Sequence, residues 1–200
     1  WLLVLGGSIS GTELPLSVTQ MLWVNLIMDT FAAMALASLP PSHEVMRNKP
    51  RRDTDFIISR PMARGILFCG MVFFLGMFMF LIWCERHGAG SVVDVHELTI
   101  FFTTFVMLQF WNLFNAKSLG SDYSAFRYFW RDGGLVLVLA LVFIGQWIIV
   151  TFGGKMFRTL PLSFEEWGAI TVGTSVVLWA GELWRAWKRW CNRKLSVLKP

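Results

Sequence analysis

Charge is what this chain has least of. Only 16% of its 200 residues are Asp, Glu, Lys or Arg, while 55% are hydrophobic; soluble domains carry about 25% charged residues. A water-solvated surface of ordinary composition is thereby excluded. Cysteine is scarce as well. Cys69, Cys84 and Cys191 stand far apart, a spacing that builds neither a zinc site nor a disulfide framework. His43, His87 and His96 form no pair at metal-ligand spacing and read as surface residues in loops. A glycine-rich phosphate cradle and a nucleophile–base pair are both missing, so these residues have no means of their own to hydrolyse a nucleotide.

Long apolar runs fill the chain instead. About 20 apolar residues suffice for a helix to cross a bilayer. Four such runs stand at Met62–Cys84, Leu98–Ala116, Leu135–Phe152 and Trp167–Trp184, besides a fifth that holds Asn25 and Asp29 between Leu14-Pro15 and Pro40-Pro41. Trp1–Ser10 is too short to span and reads as the end of a truncated transmembrane helix. The expected fold is an all-α membrane protein, a polytopic transmembrane helix bundle. Residues 16–39 form the polar-bearing span, 40–60 a basic loop, 61–184 four further spans and 185–200 a basic tail. The ten Met and eighteen Phe fall on span faces, where packing and lipid contact account for them.

Basic residues orient the bundle, because Lys and Arg concentrate on the cytoplasmic side. Arg47, Lys49, Arg51, Arg52, Arg60 and Arg64 mark the first loop as cytoplasmic. Lys117, Arg127 and Arg131 do so for the third, and Arg185, Lys188, Arg189, Arg193, Lys194 and Lys199 for the tail. Lys155 and Arg158 in a short outer loop are the exception. The net charge of +5 thus sits where it meets anionic lipid, and nucleic acid is not needed as a partner. In Leu183-Trp184-Arg185-Ala186-Trp187-Lys188-Arg189-Trp190 aromatic and basic residues alternate, as in a helix lying at headgroup level.

Against this apolar background the segment Trp23-Val24-Asn25-Leu26-Ile27-Met28-Asp29 stands out. A charged side chain at bilayer depth costs roughly 2.5–3.5 kcal/mol on insertion scales and persists where it faces a protein interior or an ion path. At a spacing of four, Asn25 and Asp29 share one helix face and offer the hard oxygens that Ca²⁺ and Mg²⁺ prefer. Interhelical hydrogen bonding is the competing explanation. It suits Asn25 well and Asp29 poorly, since such glue needs no charge. Gln109, Asn112 and Asn115 recur at three-residue steps and form a stripe that could face Asp29. Packing and ion contact are equally open for Gln109, whereas packing suits Asn112 and Asn115 better. Glu182 beside Arg185 reads as an interfacial ion pair.

The segment Gln20-Met21-Leu22-Trp23-Val24-Asn25-Leu26-Ile27-Met28-Asp29-Thr30-Phe31-Ala32 resembles the sixth transmembrane helix of P-type calcium ATPases, and Met28-Asp29-Thr30 favours the plasma-membrane kind (type IIB). Pro40-Pro41, Arg47-Asn48-Lys49-Pro50, Ile57-Ile58-Ser59-Arg60, Phe105-Val106-Met107-Leu108-Gln109 and Phe152-Gly153-Gly154-Lys155 extend the likeness in order along nearly the whole chain. The resemblance implies the C-terminal transmembrane half of such a pump, from the end of helix five through helix ten. Its phosphorylation and nucleotide-binding domains, which use Mg-ATP, would lie in a missing N-terminal half. It further implies that Asn25 and Asp29 ligate the transported Ca²⁺ on a helix unwound around the ion. Met28 replaces a hydroxyl ligand of the two-site reticulum pumps, and Gln109 replaces their acid, so one ion per cycle is implied. With the ion gone, Asp29 in low dielectric would take up a proton, which implies proton counter-transport. A secondary cation transporter and a non-transporting helical membrane protein are the alternatives. The first calls for inverted repeats, which these spans lack, and the second has no need of Asp29.

The charge pattern predicts that the loop before Met62 and the tail share the cytoplasmic side. Ser42→Cys and Ser196→Cys, placed singly in a background without the native three cysteines, should both resist a membrane-impermeant thiol reagent in intact cells. Labelling of one alone would require an odd number of spans between them.

Overall fold

A computed structural model describes residues 2–10, 16–37, 60–87, 94–117 and 133–197, and among them every regular element is a helix. The chain forms α1 (Leu2–Ser10), α2 (Val18–Leu22), a π-helix (Trp23–Asp29), α3 (Thr30–Ala37), α4 (Arg60–His87), α5 (Val95–Lys117), α6 (Gly133–Phe152), α7 (Gly154–Phe157), α8 (Phe164–Thr174) and α9 (Val176–Val197). Among the described residues three helices are long and apolar enough to cross a membrane: Ala63–Cys84 within α4, then α5 and α6. The all-α membrane bundle expected from composition is therefore present. Apart from Arg60, which opens α4, the basic loop at 40–60 lies outside the described residues, as does His43. His87 closes α4 and His96 stands in the first turn of α5, both within helices where loops were expected.

The span expected at Trp167–Trp184 is divided at Ser175. Thr174 Oγ1 donates to Ile170 O at 2.6 Å and Ser175 Oγ to Val172 O at 2.6 Å. Hydroxyl groups that bond back onto preceding carbonyls compete with the backbone ladder and bend a helix. Trp179 N still donates to Ser175 O at 3.1 Å, so α8 passes into α9 with only a local break.

Helix α5 is the axis of the bundle. Half of its membrane-length window is buried inside the protein (50%), against 11% for α4, and it packs on α3, α4, α6, α8 and α9. Phe101, Phe102, Val106 and Met107 are fully enclosed. Phe80 of α4 stacks on Phe101 at 5.9 Å, and Phe143 of α6 meets Trp167 of α8 at 5.9 Å. Polar groups then fix the register. Trp111 Nε1 donates to Thr171 O and Thr174 Oγ1, each at 3.2 Å, and Leu160 N donates to Thr99 Oγ1 at 3.0 Å.

Helices α2 and α8 start with the same cap. Ser17 Oγ accepts from Gln20 N while Gln20 Oε1 accepts from Ser17 N, and Ser163 and Glu166 repeat the exchange at α8. Such capping boxes satisfy two orphan donors reciprocally. The Ser163 N–H and hydroxyl, with His96 3.0 Å away, hold the Glu166 carboxyl below the usual carboxylate range. Helix α6 ends in a tight reversal, where Gly154 (φ 44°) and Arg158 (φ 49°) both enter the left-handed region.

At the other end of α5, Asn115 Nδ2 donates to Val177 O at 2.9 Å and its Oδ1 accepts from Arg185 Nη2 at 2.9 Å. Arg185 also pairs with Glu182 at 3.0 Å, as its spacing led one to expect. The carboxamide fits because residue 181 has no side chain; an added Cβ would overlap Asn115 and sit 2.7 Å from its Cγ. Gly181→Ala should therefore destabilise the bundle by about 1–3 kcal/mol, as overpacking does. Gly173→Ala, at a helical position facing open space, should be neutral or slightly stabilising. Thermal denaturation in detergent compares the two.

Candidate cation site

The helix that carries Asn25 and Asp29 begins as α2, widens at Trp23 into seven π-helical residues, and narrows again at Thr30. The resemblance implied a locally unwound segment; the structure keeps it helical and wide. A π-turn closes its hydrogen bonds from i to i+5 and occurs often at functional sites. Asn25 and Asp29 both lie within it. With more residues in each turn, a spacing of four falls just short of one turn instead of just past it, so the two positions still share one face.

Both are exposed on the surface of the described bundle, and each stands at its own hollow. Asp29 lines a cavity of about 310 Å³ with Ala32, Phe73, Met77, Phe105, Gln109 and Asn112. Asn25 lines a neighbouring one of about 270 Å³ with Leu3, Leu16, Val24, Phe73 and Phe105. Phe73 of α4 and Phe105 of α5 form walls of both. The polar stripe of α5 therefore divides. Gln109 and Asn112 meet the Asp29 cavity, with Cys69 Sγ donating to Asn112 Oδ1 at 3.9 Å, whereas Asn115 belongs to the α9 contact described above.

Among the described residues no three His, Cys, Asp or Glu side chains gather. The carboxylate and carboxamide side chains that line the two cavities are those of Asp29, Asn25, Gln109 and Asn112. A calcium ion takes six to eight oxygen ligands, so Asn25, Asp29 and Gln109 would furnish part of a shell only.

A family described as cation transporting ATPase, C-terminus, matches residues 13–187. The chain belongs to that family. The match includes Asn25, Asp29 and Gln109, and the chain is similar to the C-terminal part of plasma membrane calcium-transporting ATPases. Plasma membrane calcium-transporting ATPase 2 of Oreochromis mossambicus is 35% identical over 82% of this chain and 16% of its own length. Plasma membrane calcium-transporting ATPase 1 of Gallus gallus is 36% identical over 82% of this chain and 14% of its own. A plasma membrane calcium-transporting ATPase of Caenorhabditis elegans is 31% identical over 91% and 16%. The chain thus spans about one-sixth of the length of the curated relatives it matches.

Sequence reasoning passed over the residues that hold the π-helix. Trp23 Nε1 donates to Gln146 Oε1 at 3.1 Å, Gln20 Nε2 to Phe157 O at 2.8 Å and Thr19 Oγ1 to Met156 O at 2.8 Å. The signal was present, since Gln146 is an amide in the middle of an apolar span, the same anomaly that drew attention to Asn25.

Proposed function

We propose that this chain is the membrane-embedded, ion-translocating portion of an ATP-driven calcium pump of the plasma membrane, in which Asn25 and Asp29 bind the transported Ca²⁺. One observation carries the reading: in a chain of the cation-transporting ATPase family, a carboxylate and a carboxamide share a π-helical segment at the mouths of two adjoining cavities. Return from a wide to an ordinary turn leaves a carbonyl without its amide donor, which adds a backbone oxygen to the two side chains. Gln109 faces the same cavity as Asp29 and serves as an accessory polar wall. The remaining ligands, and the Mg-ATP-dependent phosphorylation that drives the cycle, come from the rest of the protein. The basic loop and tail lie on the cytoplasmic side, and the C-terminus is cytoplasmic.

Transport then follows from ordinary ligand exchange. Oxygen ligands close around a dehydrated ion, and a conformational change driven by phosphorylation opens them to the other side. Once the ion leaves, Asp29 accepts a proton, because a lone carboxylate facing an apolar cavity is unstable. Protons therefore return as calcium leaves.

In the full-length protein, Asp29→Asn should abolish calcium-dependent phosphorylation from ATP while phosphorylation by inorganic phosphate survives, since volume barely changes and ligand charge is lost. Asn25→Ala should raise the half-saturating calcium concentration about tenfold or more, equivalent to about 1.4 kcal/mol. Unchanged calcium dependence in both would leave interhelical packing as their only role. Calcium-stimulated ATP hydrolysis by the solubilised protein separates a pump from a secondary transporter.

Stoichiometry follows from what stands beside the pair. A thioether such as that of methionine, the residue at position 28, is a poor ligand for a hard cation, and the neutral amide of Gln109 attracts it less than a carboxylate would. One Ca²⁺ should be occluded per phosphorylation site, and Gln109→Ala should lower turnover modestly without changing that number. A ⁴⁵Ca ratio near two would contradict it.

A further inference from the structure

Gln146 is out of place on packing grounds. It sits with no solvent exposure inside α6, its Nε2 finds no hydrogen-bond partner among the described residues, and a buried unpaired amide donor is destabilising. A methionine or leucine would fill the same space without that penalty. Its side-chain carbonyl bonds to Trp23, the residue at which α2 widens into the π-helix. Indole only donates, so the amide carbonyl must be the acceptor.

The neighbouring residue completes the arrangement. A Cβ on Gly145 would overlap the Trp23 ring and stand 2.8 Å from its Cζ2, so the six-membered ring of the indole occupies the space a side chain at 145 would fill. One turn earlier, Thr19 and Gln20 bond to the carbonyls of Met156 and Phe157 in α7, and Gln20 is 2% exposed. The ion-bearing helix is thus tethered to α6 and α7 up to Trp23, and its hydrogen-bond register changes at that residue.

We propose that Gly145 and Gln146 are positioning residues for the cation site. By seating the Trp23 indole they fix where the α-to-π transition begins, and hence where Asn25 and Asp29 point. Neither residue touches the ion. The inference rests on the reading of Asn25 and Asp29 as calcium ligands. A ligand set must be held within about 0.5 Å of its productive geometry, and an indole locked by one directional bond and one steric seat is a means of doing so.

The test uses the full-length pump in membranes. Trp23→Phe keeps most of the ring and removes the N–H; Gln146→Met keeps length and removes the acceptor; Gln146→Glu keeps an oxygen at the same place. Expected is a rise of about tenfold in the calcium concentration for half-maximal phosphorylation from ATP in Trp23→Phe and Gln146→Met. Phosphorylation by inorganic phosphate and the thermal midpoint should stay at wild-type levels, and Gln146→Glu should recover most of the affinity. If Asp29→Asn abolishes calcium dependence but Trp23→Phe and Gln146→Met leave it at the wild-type value, the positioning role is wrong. A parallel loss of thermal midpoint and phosphate reactivity in Gln146→Met, with calcium affinity intact, would make Gln146 structural only and overturn it equally. Wild-type calcium dependence in Asp29→Asn would instead overturn the cation-site reading itself.

Discussion

In a bilayer core there is no water to satisfy a polar group, so each amide, hydroxyl and indole N–H must find its partner inside the protein. That constraint decides where the helices of this chain can touch. Apolar faces slide past one another with little preference, because lipid tails are as apolar as leucine. Directional bonds between helices are what set register: Trp111 to Thr174, Asn115 to Val177 and Arg185, Trp23 to Gln146, and Gln20 to Phe157. Three of these four joints end on or beside a break in regular helix: Ser175, the start of the π-segment and the left-handed Arg158 that ends α7. Irregular backbone frees carbonyls, and the polar side chains of neighbouring helices take them up.

Much of this was legible beforehand, for a reason specific to membranes. Burial of backbone in lipid forces helices, so run length and composition alone placed α4, α5 and α6 to within a few residues. Asp29 was legible because a carboxylate there has a cost that must be justified, and Glu182 with Arg185 because their spacing of three permits a pair. The π-widening at Trp23–Asp29 was not legible. A seven-residue change of hydrogen-bond register leaves no mark on hydropathy, and Leu26 and Ile27 read as well on an α-helix as on a π-helix. The break at Ser175 was hidden likewise, since Thr and Ser sit comfortably in a span until their hydroxyls turn back onto Ile170 and Val172. Gln146 carried a signal of the right kind, but a single amide has a ready explanation in packing, and what argues against that is its amide nitrogen, unpaired among the described residues.

The two cavities gain meaning from this distribution of bonds. Phe73 and Phe105 wall both hollows with apolar surface, which lowers the local dielectric and strengthens any electrostatic attraction at their mouths. A carboxylate placed there holds a cation more tightly than the same group in water would, and tolerates its own charge less when the cation departs. In the proposed exchange of calcium for protons, the aromatic walls would therefore bear on both halves.

The helix bearing Asn25 and Asp29 is also mechanically lopsided. Residues Thr19, Gln20 and Trp23 are bonded to α6 and α7, whereas Phe31 and Met34 beyond the π-segment are exposed and α3 meets its neighbours α5 and α6 through apolar contact, with Ala32 and Leu36 against the core. Directional bonds resist sliding and rotation; apolar contacts permit both at small cost. A rotation of α3 about a fixed Trp23 would alter the π-segment between them before it disturbed either end. As the proposed calcium ligands, Asn25 and Asp29 would thus occupy the stretch of this helix where motion of the free half is converted into a change of ligand geometry, with the tethered half serving as the fixed point.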